Sequence, residues 1–191
     1  YTDSNDLGPI YGHQWRHFNA PYNGCNSDYT GEGVDQIQNI ITTLTNPTNK
    51  YSRRLLLSAW NPCQISEMAL PPCHVLFQLY VNKDDELSCV LYQRSADIAL
   101  GVPFNIVSYS LLISLLAMHC DLKPGKFIHH IGDAHIYKEH IPYLKEQIKL
   151  KPYNSPSLLI KKRDNINDYK VEDFSIINYK SHPKIKMNMI A

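Results

Sequence analysis

Val75-Leu76-Phe77-Gln78-Leu79-Tyr80-Val81, Asn82-Lys83-Asp84-Asp85-Glu86 and Leu87-Ser88-Cys89-Val90-Leu91-Tyr92-Gln93-Arg94-Ser95 run consecutively, and this stretch sets the fold. β-Branched, aromatic and leucine residues crowd both flanks while the joint is polar, which predicts two strands closed by a hairpin turn. Phe104 to Cys120 follows as an apolar run broken by Asn105, Ser108, Ser110, Ser114 and His119. It reads as a buried core helix rather than a membrane span. Upstream, Val34, Ile37, Ile40, Ile41 and Leu44 keep helical spacing up to Asn46-Pro47, and Leu55 to Trp60 reads as a buried strand. The segment through Tyr29 is expected to be mostly loops. Downstream, Lys123-Pro124-Gly125 closes the central helix, Phe127 to Tyr137 is strand-like, and Ile141 to Leu150 is a short amphipathic helix. From Leu158 the tail alternates strand and turn. The class is α+β, a mixed β-sheet with helices packed on one face, in one domain over residues 1–191.

A formal net charge of +1 argues against a general nucleic-acid or membrane-surface binder. Five cysteines, an odd number with no CxxC pair, fit free thiols in a reducing compartment better than a disulfide framework. The opening Tyr1-Thr2-Asp3-Ser4-Asn5-Asp6 has neither the basic start nor the apolar core of a signal peptide. A soluble, cytoplasmic protein is the expectation.

One thiol is set apart by its neighbours. In Leu70-Pro71-Pro72-Cys73-His74, two prolines that cannot continue a helix or donate to a ladder fix the chain direction ahead of Cys73. A nucleophile needs such placing, whereas most free cysteines are small buried hydrophobes. Arg94, Ser95 and Asp97 place a guanidinium, a hydroxyl and a carboxylate at a strand end, and Arg94 with Ser95 suits an oxyanion such as phosphate, because arginine offers a planar fork of donors; a solvated edge residue is the alternative. Arg53-Arg54 has the same two readings, and adjacent strand residues face opposite ways, so both serve one pocket only with difficulty. His129, His130, His135 and His140 match neither the strand nor the helix period, which argues against a metal site. Asn105, at the entrance of the apolar helix, is either an N-cap or an amide that reads a complementary base edge.

In chain order, Asp6-Leu7-Gly8-Pro9-Ile10-Tyr11-Gly12, Gln14-Trp15-Arg16-His17-Phe18, Gly33-Val34-Asp35-Gln36, Arg53-Arg54, Ala59-Trp60-Asn61-Pro62, Met68 to His74, Tyr92-Gln93-Arg94-Ser95, Leu100 to Asn105 and Gly132 to Tyr137 resemble the motifs of the thymidylate synthase family. The resemblance implies reductive methylation of dUMP to dTMP, with 5,10-methylenetetrahydrofolate giving both carbon and hydride and no metal required. It makes Cys73 the nucleophile that adds to C6 of uracil, covalently activating the ring. A thiol titrating near ~8.5 needs a cationic neighbour, and Arg94 resembles that neighbour. Tyr11, near the step that removes the C5 proton, and His74 join the catalytic set. Arg53 and Arg54 resemble phosphate ligands donated by the partner of a homodimer, and Arg94 and Ser95 ligands from the same chain. Gln93 lines the nucleotide pocket, Asn105 pairs with uracil N3 and O4, and His135 and Tyr137 contact the deoxyribose. Asp97 is assigned to the nucleotide pocket and to the folate pterin. Leu100, Gly101 and Phe104 lie against the folate rings, and Met189 and Ala191 belong to a tail that closes over folate.

The chain also departs from the family pattern. The N-terminal portion, with a further phosphate arginine, is unmatched, so a segment of a longer synthase is expected, inactive or weakly active alone. A dihydrofolate reductase fused in front is compatible with the resemblance. His13 and Asn19 stand where phenylalanine and glycine are common, and Asn49 to Ser52 resembles a short insertion beside Arg53. The rival activity is a pyrimidine-nucleotide hydroxymethylase of the same fold. A non-catalytic RNA-binding or interaction segment is the rival from another class, though no basic stripe with interleaved aromatics supports it.

Overall fold

The computed structural model describes residues 5–190. Strand β2 (His74–Val81) buries Phe77, Leu79 and Val81, and the strand after the turn, β3 (Glu86–Asp97), buries Leu87, Cys89 and Leu91. A side-chain period of two puts each set on one face. The strands run antiparallel. In the turn between them the Asn82 carboxamide oxygen accepts from the Asp84 and Glu86 N–H groups, both at 2.9 Å. Asp85 takes a left-handed φ of 60°, which short polar side chains tolerate.

β1 (Leu56–Ser58) pairs antiparallel with β2, and β4 (Lys123–His135) lies parallel to β3, so the sheet order is β1-β2-β3-β4. A parallel neighbour requires a crossover. Helix α3 (Val102–His119) supplies it and packs Tyr109, Ile113, Leu116 and Ala117 into the core. Helix α2 (Gln36–Leu44) begins at Asp35, whose carboxylate accepts from the Gln38 N–H at 2.9 Å, and adds Ile37, Ile40, Ile41 and Leu44 to the same core. Each such side chain removed from water contributes about 1.5–3 kcal/mol before entropy is counted. The mixed-sheet α+β expectation therefore holds.

Several boundaries differ from the sequence reading. The first segment contains a short helix, α1 (Tyr11–Arg16), and a β-bridge between Phe18 and Val34, so Val34 lies outside α2. Regular strand structure in β1 covers only three residues, although Leu55, Leu57 and Ala59 are all buried. Lys123, Pro124 and Gly125 open β4 instead of closing α3. Proline is tolerated there because β4 is an edge strand with one side free of ladder bonds. Gly125 is required by close approach: a Cβ would lie 2.9 Å from the Leu87 carbonyl oxygen. α3 is not buried throughout, since Phe104 is 72% and Val107 63% exposed. Its length and apolar composition alone would suit a membrane span, yet its Tyr109 face is sheet core. Beyond β4, α4 (Ile141–Gln147) ends short of Leu150, and β5 (Ser157–Ile160) and β6 (Phe174–Ile177) form a separate antiparallel pair.

Candidate active site

Cys73 is held from two sides. The prolines before it donate nothing, but their carbonyls accept. Arg94 Nε donates to Pro72 at 3.0 Å and Nη2 to Pro71 at 2.9 Å. The Arg94 backbone N–H donates to the Cys73 carbonyl at 2.9 Å. From α1, the Tyr11 hydroxyl accepts from the Cys73 N–H at 2.8 Å and the His74 N–H at 3.4 Å. Burial raises the Tyr11 pKa, so its hydroxyl stays protonated and can also donate. The β2–β3 register shifts between His74 and Leu76, a bulge that re-aims side chains beside Cys73.

Cys73 is half-buried, and the other thiols differ from it. Burial pushes Cys89 up to about 12 and Cys120 up to about 11, which leaves both as protonated core side chains. Cys25 and Cys63 are exposed. The Arg94 guanidinium stands over the Trp60 ring, 5.9 Å from its centroid. Trp60 belongs to a quoted motif, but sequence reasoning gave it no role.

A chain of amides starts on β3, where Gln93 pairs in register with His74, the residue after Cys73. His129 Nε2 donates to Gln93 Oε1 at 2.8 Å, and Gln93 Nε2 donates to Asn105 Oδ1 at 3.0 Å and to the Ser95 carbonyl at 2.9 Å. Gly101 occupies the N-cap position of α3, so Asn105 lies inside the helix and is not a cap. Burial, then the charge of His129, lowers the His74 pKa, which keeps that ring neutral at neutral pH. Burial, then His130, lowers His129 in the same way. With its oxygen oriented by Gln93, the Asn105 amide faces a defined way and retains a second lone pair and N–H donors for a ligand edge.

The joint from β3 into α3 gathers the other candidates. Asp97 accepts from the Ala99 N–H at 2.9 Å and the Leu100 N–H at 3.4 Å, and its carbonyl accepts from Gly101 at 3.0 Å. Asp97 therefore shapes this turn, with Leu100, Gly101 and the exposed Phe104 beside it. His135 pairs in register with Asp97, stands 3.4 Å from the Asp133 carboxylate and meets the Tyr137 ring edge-on at 5.4 Å. Met189 is exposed, and Ala191 lies outside the described residues. Among the described residues, no three His, Cys, Asp or Glu side chains gather as a metal site.

Arg53 and Arg54 are not brought to Cys73. They occupy an exposed turn before β1, not a strand, so the expectation that they sit on opposite strand faces does not apply. The Arg53 carbonyl accepts from Gln78 Nε2, and Leu79 bonds Leu55. Measured along β2, that is about 20 Å from Cys73 at ~3.3 Å per residue.

Sequence comparisons place the chain in a family. A family model described as Thymidylate synthase matches residues 1–191. The chain belongs to the thymidylate synthase family. It is 54% identical to a thymidylate synthase of Saccharomyces cerevisiae over 96% of this chain and 63% of that relative. It is 54% identical to a human thymidylate synthase over 98% of this chain and 59% of that one. A bifunctional dihydrofolate reductase-thymidylate synthase of Leishmania major is also 54% identical, over 96% of this chain and 35% of that protein. The chain thus spans less than two thirds of the length of these relatives.

Two departures from the thymidylate synthase pattern now have physical readings. Asn19 adopts φ 63°, the region glycine enters freely and asparagine tolerates, and its Oδ1 accepts from Asn61 Nδ2 at 3.1 Å. Lys50, in the insertion-like segment, pairs with Asp85 at 2.7 Å and ties that segment to the β2–β3 turn. Sequence reasoning missed a buried polar network. Gln14 Nε2 donates to the Pro9 carbonyl at 2.8 Å and to Gln64 Oε1 at 2.9 Å, and Asn61 donates to Gln14 Oε1 at 3.2 Å. This network fixes α1, and with it Tyr11, against the chain leading to Cys73. The one local signal was a glutamine in the family-like Gln14-Trp15-Arg16 triplet.

Proposed function

We propose that the protein carrying this chain is a thymidylate synthase that reductively methylates dUMP to dTMP. The observation that supports this best is the meeting of the half-buried Cys73, the forked Arg94 and the oriented Gln93–Asn105 amides at one end of β2 and β3. Cys73, as thiolate, adds to C6 of the uracil ring; the C6–C5 π pair moves onto C5, which becomes the carbon nucleophile. The Asn105 amide meets N3–H with its oxygen and O4 with its nitrogen, a pattern that suits uracil and mismatches cytosine. The Tyr11 hydroxyl, fixed by the Cys73 N–H, stands ready to pass on the C5 proton. Cys73 leaves by elimination and is regenerated.

The turn formed by Asp97, Leu100 and Gly101, with exposed Phe104, combines a carboxylate with apolar surface and suits a pterin ring. Bound there, 5,10-methylenetetrahydrofolate would supply the one-carbon unit and the hydride. Ser95 and Arg94 serve the phosphate, His135 and Tyr137 the sugar hydroxyl, and the Met189–Ala191 segment covers the folate.

Arg53 and Arg54 act from a second subunit in this reading. The sheet face opposite the core exposes Leu56, Tyr80, Tyr92 and Ile128, and Leu56, Gln78, Val90 and Ile128 form one cross-strand row. A second copy seated on this face buries the row and carries the arginines that precede β1 into its partner's site. The remainder of the protein covers the exposed Phe104 and Val107 side of α3, residues 1–191 being the catalytic-cysteine portion of a larger domain. A reductase domain fused in front is compatible with the bifunctional relatives. Five free thiols suit a cytoplasmic setting.

The test uses the full natural protein, 5-fluoro-dUMP and the folate, with mass spectrometry of the Cys73 peptide. A ternary adduct on Cys73 and dTMP from dUMP are expected. An adduct confined to Cys63 or Cys89 overturns the nucleophile assignment, a 5-hydroxymethyl product identifies the hydroxymethylase, and no adduct favours the non-catalytic reading.

A further inference from the structure

The histidines of the β4 end do not all face the nucleotide site. His140 is 1% exposed, and its Nε2 donates at 2.7 Å to the carbonyl of Asn188, 48 residues further along the chain. That bond places the ring hydrogen on Nε2 and leaves Nδ1 as a lone pair in the interior, with no hydrogen-bond partner among the described residues. A buried acceptor without a donor costs stability, so packing alone does not favour an imidazole at this position. What the imidazole offers there is its other nitrogen. It holds a main-chain carbonyl directly before Met189, whose side chain is 84% exposed.

The ring is itself fixed from the nucleotide side. The His140 N–H donates to the Tyr137 carbonyl at 3.0 Å, and the His140 ring meets the Tyr137 ring edge-on at 5.7 Å. Tyr137 in turn meets His135 edge-on at 5.4 Å. One rigid corner, from the end of β4 through a 3-10 turn (Lys138–His140) into α4, thus carries the candidate sugar contacts at its start and the Asn188 bond at its end.

We propose that His140 is a positioning residue for the folate step: its Nε2–H seats the Asn188 carbonyl and thereby sets where Met189 and Ile190 lie when the tail closes. The inference rests on the synthase reading above. It needs a donor at Nε2 and nothing from Nδ1. His140→Gln keeps a donor at that reach, whereas His140→Leu fills the space without one.

The experiment compares wild type, His140→Leu and His140→Gln in the full natural protein, by steady-state kinetics and by hydrogen exchange of the peptide spanning Pro183 to Ile190. In His140→Leu the folate KM rises about tenfold, the loss expected for one buried hydrogen bond, while the dUMP KM stays within about twofold. Amide exchange in the tail peptide accelerates, and His140→Gln restores both readouts. Equal increases in the two KM values, or unchanged tail exchange in an active enzyme, overturn the inference alone. A wild type that forms no dTMP overturns the synthase reading, and with it the folate role of His140. The exchange comparison then still reports whether His140 holds the tail.

Discussion

The N–H of Arg94 and the carbonyl of Cys73 are hydrogen-bonded at 2.9 Å, while the guanidinium of the same arginine grips the two carbonyls just ahead of that cysteine. One residue of β3 therefore fixes both the backbone of Cys73 and the path of the chain that leads to it. The fork cannot be copied by an ammonium group.

Arg94→Leu removes the two charge-assisted bonds that hold the chain leading to Cys73. At about 3 kcal/mol, covalent capture of 5-fluoro-dUMP by Cys73 slows by roughly a hundredfold. Arg94→Lys is expected to recover only part of that rate, since one point charge cannot satisfy both carbonyls. Stopped-flow measurement of adduct formation checks both, and full recovery by lysine refutes the fork argument.

Tyr11→Phe deletes the acceptor for two N–H groups, those of Cys73 and His74. The unpaired donors cost about 1–2 kcal/mol of stability, read as a lower urea midpoint at constant slope. Turnover falls further than the stability loss explains, because the same hydroxyl is the proposed carrier of the C5 proton.

Asn105→Asp keeps an acceptor for Gln93 but loses the donor proposed to meet uracil O4. Activity on dUMP is expected to drop on the order of 10^4-fold, with dCMP becoming the better substrate. Parallel assays on the two nucleotides decide it, and a retained uracil preference refutes the pairing.

Stability depends on pH through His74 and His129. Burial lowers both rings below their ordinary value of 6.5 in the folded state. Between the folded and unfolded pKa values the unfolded chain binds more protons, so stability falls as pH drops through 6.5 and levels off once the folded rings also protonate. Urea titrations from pH 8 to 5 test the sign, and His74→Phe should make the decline shallower.

Arg53 and Arg54 provide a test of the shared site. An Arg53→Ala, Arg54→Ala double variant and a Cys73→Ala variant are each expected to be inactive. Hybrids formed by refolding an equal mixture hold one intact site each, and activity should return to roughly a quarter of wild type. No recovery would place the arginines outside the partner's site.

Much of the framework was legible because it follows from spacing along the chain. Phe77, Leu79 and Val81, then Leu87, Cys89 and Leu91, alternate as strands must, and Ile37, Ile40, Ile41 and Leu44 repeat as a helix must. The double proline before Cys73 marked the thiol for the same reason: its effect is local. Where the reading failed, tertiary context overrode propensity. Pro124 and Gly125 read as a helix stop, yet an edge strand spares the proline a hydrogen bond and the Leu87 backbone excludes any larger residue than glycine. α1 escaped notice because a six-residue helix has little intrinsic stability and is held by the buried carboxamides of Gln14, Gln64 and Asn61.

By itself, then, the sequence determined the α+β class, the hairpin at the sheet centre, the helix that follows it and the one cysteine set apart by its neighbours, since each depends on residues a few positions apart. Only the tertiary structure decided that Asn105 is an oriented amide and not a cap, that Arg53 and Arg54 stand away from Cys73, and that His140 bonds the Asn188 carbonyl. Those assignments depend on the parallel register of β3 and β4 and on a return of the chain across 48 residues. Hydrogen-bond partners so far apart leave no period in the sequence, because the fold that joins them is the sum of many burials elsewhere.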